Sequence, residues 1–403
     1  MGLRPLEGLR AHQRVVSDVS SLLANYNRAP VTFVRGDGCY LYDDADKEYL
    51  DFIGGIAVVA LGHCHPRISE AIARQARTLV HVSNLFHHEP AGTLARELVA
   101  LSGLSRAFFC NSGAEANEAA IKAARKHAFR NGDLKRTTIL ACSGSFHGRT
   151  YGALAATAND AYKIGFGPMP EGFAFTPFND VAALEANLTK DVAAFIVEPV
   201  QGESGVHPAT QTFLEAARRM CDERGILLVF DEIQCGAGRL GPFFAFERFG
   251  VTPDVVTMAK ALANGLPIGA VLFGAKAAQA LQPGDHGSTF GGSPVPAAAA
   301  LEHLRVRAET ELATTVAQRE AQLFARLRDL AAAHPGTIKE VRGMGLLVGI
   351  ELDLPVGEVV AKLRERGLLV GTAGGSALRL APPLIVNDDQ LEKACALIDA
   401  SLH

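Results

Sequence analysis

Residues 227–234 read LLVFDEIQ, four apolar side chains running straight into two adjacent acids, Asp231 and Glu232. A run this short and apolar on both faces has the length and composition of a strand inside a parallel sheet. An ionised carboxylate at the end of such a strand is unfavourable to bury unless a cation or a strong donor meets it. The partner that Asp231 needs can belong to the protein or come from outside it.

The same pattern recurs outward from this stretch. AFFC (107–110), TILAC (138–142), AAFIVEP (193–199), DVVTMA (254–259) and GAVLFG (269–274) are short apolar runs bounded by polar or glycine residues. Amphipathic stretches lie between most of them, such as AEANEAAIKAARKHAF and TFLEAARRMCDERG, the latter closed by Gly225 as a helix stop. Strand-length runs separated by helices predict an α/β fold whose mainly parallel central sheet carries helices on both faces. In such sheets ligands sit at the carboxyl ends of the strands.

The two ends of the chain differ from the middle. VTFVRGDGCYLYDDADKEY (31–49) is strand-rich, with turn punctuation at Gly36-Asp37-Gly38. After GGSPVPAAAALEHL comes a long helical region, then strand-like VRGMGLLVGIEL and ALRLAPPLIV, and a last helix, DDQLEKACALIDASL. The expected organisation is a large ligand-binding domain over 50–293 and a smaller α+β domain built from 1–49 and 294–403, bridged by the helix that starts near Pro294. No internal repeat is visible.

Composition excludes several function classes. The 403 residues are 48% apolar and carry Lys+Arg 39 against Asp+Glu 43, a net charge of -4 without long runs of either sign. Neither a nucleic-acid footprint nor a membrane-surface patch is indicated, and small molecules are the expected partners. The seven cysteines are scattered singly with no CxxC pair, which fits a reducing compartment, by default the cytoplasm. No segment approaches the roughly 18 uninterrupted apolar residues of a membrane span. MGLRPLEGLRAHQRVV at the amino end has no continuous apolar stretch of the signal-peptide kind.

Chemistry-bearing residues gather at the expected strand ends. NSGAEAN (111–117) follows AFFC and opens a helix, so the backbone N–H groups of Ser112, Gly113 and Ala114 form an anion seat. Taken alone, the segment is more simply a glycine turn into a helix capped by Ser112. SFHGRT (145–150) brings Phe146, His147 and Arg149 to the same edge; by default the phenylalanine is core and the arginine a solvated charge. MAKALANG (258–265) places Lys260 after another apolar run, and lysine is rarely buried without a partner. An anion seat, an aromatic ring, an acid and a lysine at neighbouring strand ends describe a pocket for a flat, phosphorylated, electrophilic heteroaromatic.

NSGAEANEAAIKAAR, SFHGRT, VEPVQGESGV, LLVFDEIQCGAGRLG, MAKALANGLPIGA, HGSTFGGSP and VRGMGLLVGIEL together resemble the consecutive motifs of the class III pyridoxal-phosphate (PLP) aminotransferases. The resemblance runs from about Tyr26 to the end and implies the PLP-dependent transferase fold type I. LDFIGGIAVVALGHCHP, HVSNLF and GDHGSTFGG resemble members that act on N2-acetylornithine. The implied activity moves the δ-amino group of N2-acetyl-L-ornithine to 2-oxoglutarate, giving N-acetyl-L-glutamate 5-semialdehyde and L-glutamate. Succinyldiaminopimelate, ornithine, 4-aminobutyrate or a carrier-linked lysine are related donors within the same chemistry.

The resemblance also implies roles. Lys260 carries the cofactor and moves the proton; Asp231 pairs with the protonated pyridine nitrogen; Gln234 bonds the phenolic oxygen; Phe146 stacks on the ring. Ser112, Gly113 and Ala114 hold the phosphate, completed by Ser288 and Thr289 from the partner of a homodimer with shared active sites. Arg149 clamps the donor's α-carboxylate, Glu203 and Arg379 form a switch that covers and frees the arginine, and Tyr26 lines the donor side. Glu232 is read as structural. His147 is either a support for the cofactor site or a group satisfying a backbone carbonyl. Ser293 stands where the family usually has Asn, and GTAGGS (371–376) is glycine-rich near the expected acyl region.

Two other readings differ in class. A same-fold aminomutase fits poorly with Arg149, Glu203 and Arg379, which suit dicarboxylates. A noncatalytic PLP or amino-acid binder fits poorly with Lys260, Asp231 and Gln234 together. GHCHP (His63, His65) and HHE (His87, His88, Glu89) lack a third ligand at sensible spacing, so no metal is expected.

Overall fold

The structure, a computed structural model, describes residues 21–402, so the amino-terminal stretch read above for targeting signals lies outside the described residues. Strands β1 (Phe33–Asp37), β2 (Tyr40–Asp43) and β3 (Glu48–Asp51) lead through a single turn, α1 (Gly54–Ala57), to helices α2 (Pro66–Thr78) and α3 (Glu89–Ser102). The middle alternates: β4 (Arg106–Cys110), α4 (Gly113–Arg130), β5 (Thr138–Cys142), α5 (Tyr151–Ala156), β6 (Phe173–Thr176), α6 (Val181–Asn187) and β7 (Val192–Val197). A ribbon, β8 (Val200–Gln201) and β9 (His207–Pro208), precedes α7 (Gln211–Arg224), β10 (Leu227–Asp231), α8 (Ala245–Phe249), β11 (Val255–Met258) and β12 (Gly269–Phe273). Then come α9 (Pro294–Glu309), α10 (Leu312–Ala333), β13 (Ile338–Met344), β14 (Leu347–Leu352), α11 (Val356–Glu365), β15 (Leu368–Leu369), β16 (Gly371–Ala373), β17 (Ala377–Leu380) and α12 (Asp388–Asp399).

The apolar runs build a seven-stranded sheet in the order β4-β12-β11-β10-β7-β5-β6. Only β12 is reversed, pairing antiparallel with both β11 and β4, so the sheet is mixed but mainly parallel. Every residue of β7, β10, β11 and β12 is buried, as strands covered on both faces require. One strand, β6, escaped the sequence reading because FAFT lies in a polar, glycine-punctuated stretch.

Local signals explain the helix ends that frame the sheet's carboxyl edge. Ser112 caps α4, its Oγ accepting from the Glu115 N–H at 3.2 Å. Gly225 ends α7 in the left-handed region, as read from the sequence. The long tail helix is two helices: Glu311, at φ 47, breaks it between α9 and α10. α9 packs on α2 and α3, whereas α10 packs on α12 and β13.

An early strand and a late one meet. β15 pairs in parallel with β3 in a four-stranded sheet, and β13-β14-β17-β16 form another. Among the described residues no helix is long and apolar enough to cross a membrane.

Candidate active site

A cleft of about 410 Å³ opens at the carboxyl edge of the large sheet. Ser112 to Ala114 enter it after β4, Phe146 to Arg149 after β5, Glu198 after β7, Asp231 and Gln234 from β10, and Lys260 after β11. Glu203, on the β8–β9 ribbon loop, closes one side. Nine of the expected site residues are thereby brought together from segments far apart in sequence.

Asp231 is buried and wired to the protein by three donors. Its Oδ2 accepts from Asn117 Nδ2 and from His147 Nδ1, both at 2.7 Å, and its Oδ1 from the Ile233 N–H at 3.0 Å. Asn117 is itself fixed: its Oδ1 accepts from Thr257 Oγ1 at 2.8 Å and its Nδ2 also reaches the His147 carbonyl at 2.7 Å. Because a carboxylate accepts, His147 carries its proton on Nδ1, and its buried Nε2 has no partner. His147 therefore supports Asp231 and does not satisfy a backbone carbonyl through its ring. The network fixes the Asp231 carboxyl group on the cleft floor.

Lys260 sits on the first turn after β11 at φ 44, a left-handed conformation that a lysine adopts only under constraint. Burial pushes its amine below the ordinary value, helped by the Arg379 guanidinium and opposed by Glu203, Asp231 and Glu198. Among the described residues its Nζ has no hydrogen-bond partner.

The Arg379 guanidinium, delivered by β17, meets Glu203 Oε1 at 2.5 Å across 176 residues of chain and also bonds the Gly202 carbonyl at 2.9 Å. Gln234 Nε2 donates to the same Glu203 oxygen at 2.9 Å. The Arg379 cation keeps the Glu203 carboxyl below its ordinary value in spite of burial, which acts the other way. A Cβ at Gly202 would lie 1.8 Å from Gln234 Oε1, so this meeting of loops requires glycine there.

Arg149 is exposed, its guanidinium 3.5 Å from the Tyr162 ring centroid and 5.7 Å from that of Phe146. Among the described residues it has no carboxylate partner. Its loop is pinned by Glu118 Oε1, which accepts from Thr150 Oγ1 at 2.7 Å and from the Gly152 N–H at 2.8 Å. Glu232, beside Asp231 in sequence, does not line the cleft: its oxygens accept from the Ala245 and Phe246 N–H groups at 2.6 and 2.7 Å, tying down the start of α8.

Two expected contributions do not reach the cleft within one chain. Ser288 and Thr289 lie beside Asn111, with Ser288 Oγ accepting from Asn111 Nδ2 at 3.1 Å. Tyr26 is 70% exposed, and among the described residues its ring meets the Arg28 guanidinium, 5.3 Å from the ring centroid. His63 bonds Asp51 at 2.8 Å, and His88 caps α3.

The family described as aminotransferase class-III matches residues 23–402. The chain belongs to the class-III aminotransferases. An acetylornithine aminotransferase of Methanocaldococcus jannaschii is 47% identical over 93% of this chain and 93% of its own length, and one of Thermosynechococcus vestitus is 46% identical over 94% and 95%. Among solved structures, the ornithine aminotransferase of Toxoplasma gondii ME49 superposes with a TM-score of 0.92 at 36% identity, covering 96% of this chain and 93% of that one. The acetylornithine aminotransferase of Elizabethkingia anophelis gives 0.85 at 32% identity, over 95% and 96%.

A class-III aminotransferase uses pyridoxal 5'-phosphate, and the cleft fits it. The first N–H groups of a helix have no intrahelical acceptor, and Gly113 and Ala114, at the start of α4, line the cleft, where such groups suit an anion. A Cβ at Gly113 would lie 2.7 Å from Ile233 Cδ1, so only glycine allows Ile233 to floor the site. The unpartnered Lys260 amine and the buried Asp231 carboxyl group are the two groups that an aldehyde and a protonated pyridine call for.

Three residues of this aminotransferase site were not singled out from sequence. Asn117 is a fully buried polar residue on an alanine-rich helix face, between Ala116 and Ala120, and that contrast was its signal. Glu198 ends AAFIVE just as Asp231 ends LLVFD, the same strand-then-acid pattern at a second strand. Ile233 had no signal, since its role comes from contact with Gly113.

Proposed function

We propose that this enzyme transfers the δ-amino group of N2-acetyl-L-ornithine to 2-oxoglutarate, forming N-acetyl-L-glutamate 5-semialdehyde and L-glutamate, a step of arginine biosynthesis. The pairing of Arg379 with Glu203 carries the reading. One cleft must accept a neutral-to-cationic ω-amine end in one half-reaction and an α-carboxylate in the other. A guanidinium with a removable internal carboxylate meets both demands, and relatives at 42–47% identity bear the acetylornithine aminotransferase name.

Bound pyridoxal phosphate supplies an aldehyde that takes up the amino group and a ring that spreads the electron pair left behind by the departing proton. Lys260 Nζ, whose hold on its proton burial weakens, anchors the cofactor and then removes and returns the proton at the donor's reacting carbon. Asp231 holds the ring nitrogen protonated, Gln234 bonds the phenolic oxygen, and Phe146 covers the ring. Ser112, Gly113 and Ala114 bind the phosphate. Arg149, without a carboxylate partner among the described residues, takes the donor's α-carboxylate. When Glu203 swings away, Arg379 takes that of 2-oxoglutarate.

The assembly proposed is a homodimer in which Ser288 and Thr289 complete the partner's phosphate site. Supporting this, Leu85, Phe86 and Phe290 are 86%, 69% and 61% exposed near these residues, an apolar surface suited to a second copy. Asn84 Nδ2 ties the two loops by donating to the Ser288 carbonyl at 2.9 Å. A fully active monomer by light scattering and assay would remove the shared site. Residues 1–49 with 294–403 are read as the small domain and 50–293 as the large one. The cytoplasm is the proposed location, where seven unpaired cysteines remain reduced.

The deciding experiment adds N2-acetylornithine to the holoenzyme without acceptor and follows the visible band of the lysine-linked cofactor. Its conversion to the aminated form establishes the donor. Conversion only by ornithine, favoured by the likeness to ornithine aminotransferase structures, keeps the reaction class and changes the substrate.

A further inference from the structure

The register of the central sheet puts a second carboxyl group beside Asp231. β7 and β10 run parallel with Phe230 opposite Val197, so the next pair along the two strands is Asp231 and Glu198. Both are buried, 3% and 6% exposed, and both line the cleft. Like charges directly opposite one another on neighbouring strands are destabilising, and more so away from water.

Their hydrogen bonds are unequal. Three donors face Asp231, whereas Glu198 receives one, the Phe146 N–H at 3.0 Å on Oε2. The charged groups around Glu198 are Asp231 from β10, Glu203 from the ribbon loop and Lys260 after β11, so two of the three are anions. The thiols of Cys142 on β5 and Cys235 after β10 also face it, and burial raises both well above the ordinary range, which leaves them neutral. When environments push two neighbouring carboxyls apart, the one met by more hydrogen-bond donors keeps the charge and the other keeps the proton.

We propose that Glu198 works as a neutral carboxylic acid, a positioning residue that anchors Phe146 over the cofactor seat and keeps a second negative charge away from Lys260. Burial and the Asp231 carboxylate both raise its carboxyl well above the ordinary value, in the same sense as the geometry. An ionised Glu198 would pull the Lys260 amine towards its protonated, unreactive form. The inference concerns the cofactor cleft and does not depend on which amine is the donor.

The test compares infrared spectra of holoenzyme and Glu198→Gln at neutral pH. Wild type should show the carbonyl-stretch band of a neutral carboxylic acid that the variant lacks. Glutamine keeps an oxygen for the Phe146 N–H and mimics the protonated acid, so Glu198→Gln should keep turnover within about threefold, while Glu198→Ala leaves that N–H unpaired and loses on the order of tenfold. Melting temperatures add a readout independent of activity. A carboxyl raised in the folded state contributes stability that is lost as pH rises from the ordinary carboxyl range towards its folded value, so Glu198→Gln should gain on wild type as pH rises. If Glu198→Gln does not fold, carbon-13 glutamate labelling of Glu232→Gln reads the same acid band with Glu198 intact. No acid band assignable to Glu198, or a Glu198→Gln variant as slow as Glu198→Ala, overturns the proposal.

Discussion

The floor and the rim of the cleft are built on opposite plans. On the floor, Asp231, Asn117, His147 and Thr257 are bonded to one another and every one is buried, so their geometry is set before any ligand arrives. On the rim, Arg149 is exposed against the faces of Tyr162 and Phe146, and Arg379 is held by a carboxylate that lines the cleft and is 28% exposed in its side chain. The difference follows from what each meets. A resident cofactor presents one shape and favours preorganisation, whereas two successive substrates of different shape need charges that can be covered and uncovered.

This contrast predicts that floor substitutions slow both half-reactions together and rim substitutions separate them. The largest effect belongs to Lys260→Ala, expected to lower turnover at least about 10⁴-fold in both half-reactions, measured by stopped-flow absorbance with each substrate alone. Asp231→Asn follows, at about 10²- to 10³-fold, the equivalent of about two to three pKa units at the ring nitrogen at about 1.4 kcal/mol each. If Asp231→Asn spared one half-reaction, the floor would not be common to both.

The rim gives smaller, divided effects. Arg379→Ala should slow the glutamate half-reaction by about 10- to 100-fold, the worth of a charged hydrogen bond, and leave the donor half-reaction within a few-fold. Arg149→Ala should raise the donor KM by a similar factor of about 10 to 100 with a lesser change in kcat. Equal losses in both halves for Arg379→Ala would show that it is part of the fixed floor.

The smallest effect is on stability and tests the neighbour that stays out of the chemistry. Burial raises the Glu232 carboxyl to about 8. Its folded value lies above its unfolded one, so its contribution is present at low pH and is lost as pH rises through about 8. Glu232→Gln should therefore gain in melting temperature on wild type between pH 5 and 8, on the order of a few degrees, with kcat unchanged. A variant that tracks wild type across that range would mean that Glu232 ionises normally.

Much of this was legible in advance because strand-length apolar runs announce themselves, and a parallel sheet sends its loops to one edge. Lys260, Asp231, Ser112 and Phe146 follow such runs directly, so their gathering could be read without coordinates. Arg379 and Glu203 could not be joined that way, since nothing in their spacing brings β17 to the ribbon loop. Asn117 was obscured because helix α4 reads as an ordinary amphipathic helix, and only the packing of that helix over β10 and β11 turns one polar residue towards Asp231.

Sequence alone determined the α/β class, six of the seven strands of the central sheet, the helix ends at Ser112 and Gly225, and most of the side chains that arrive at its carboxyl edge, because these rest on local periodicity and backbone preference. Tertiary structure alone decided the reversed β12, the break at Glu311, the tautomer of His147, the closing of Glu203 on Arg379, and the register that sets Glu198 beside Asp231. Those depend on contacts between distant segments, and a charge's environment is fixed by what is packed around it, which the order of residues along the chain does not state.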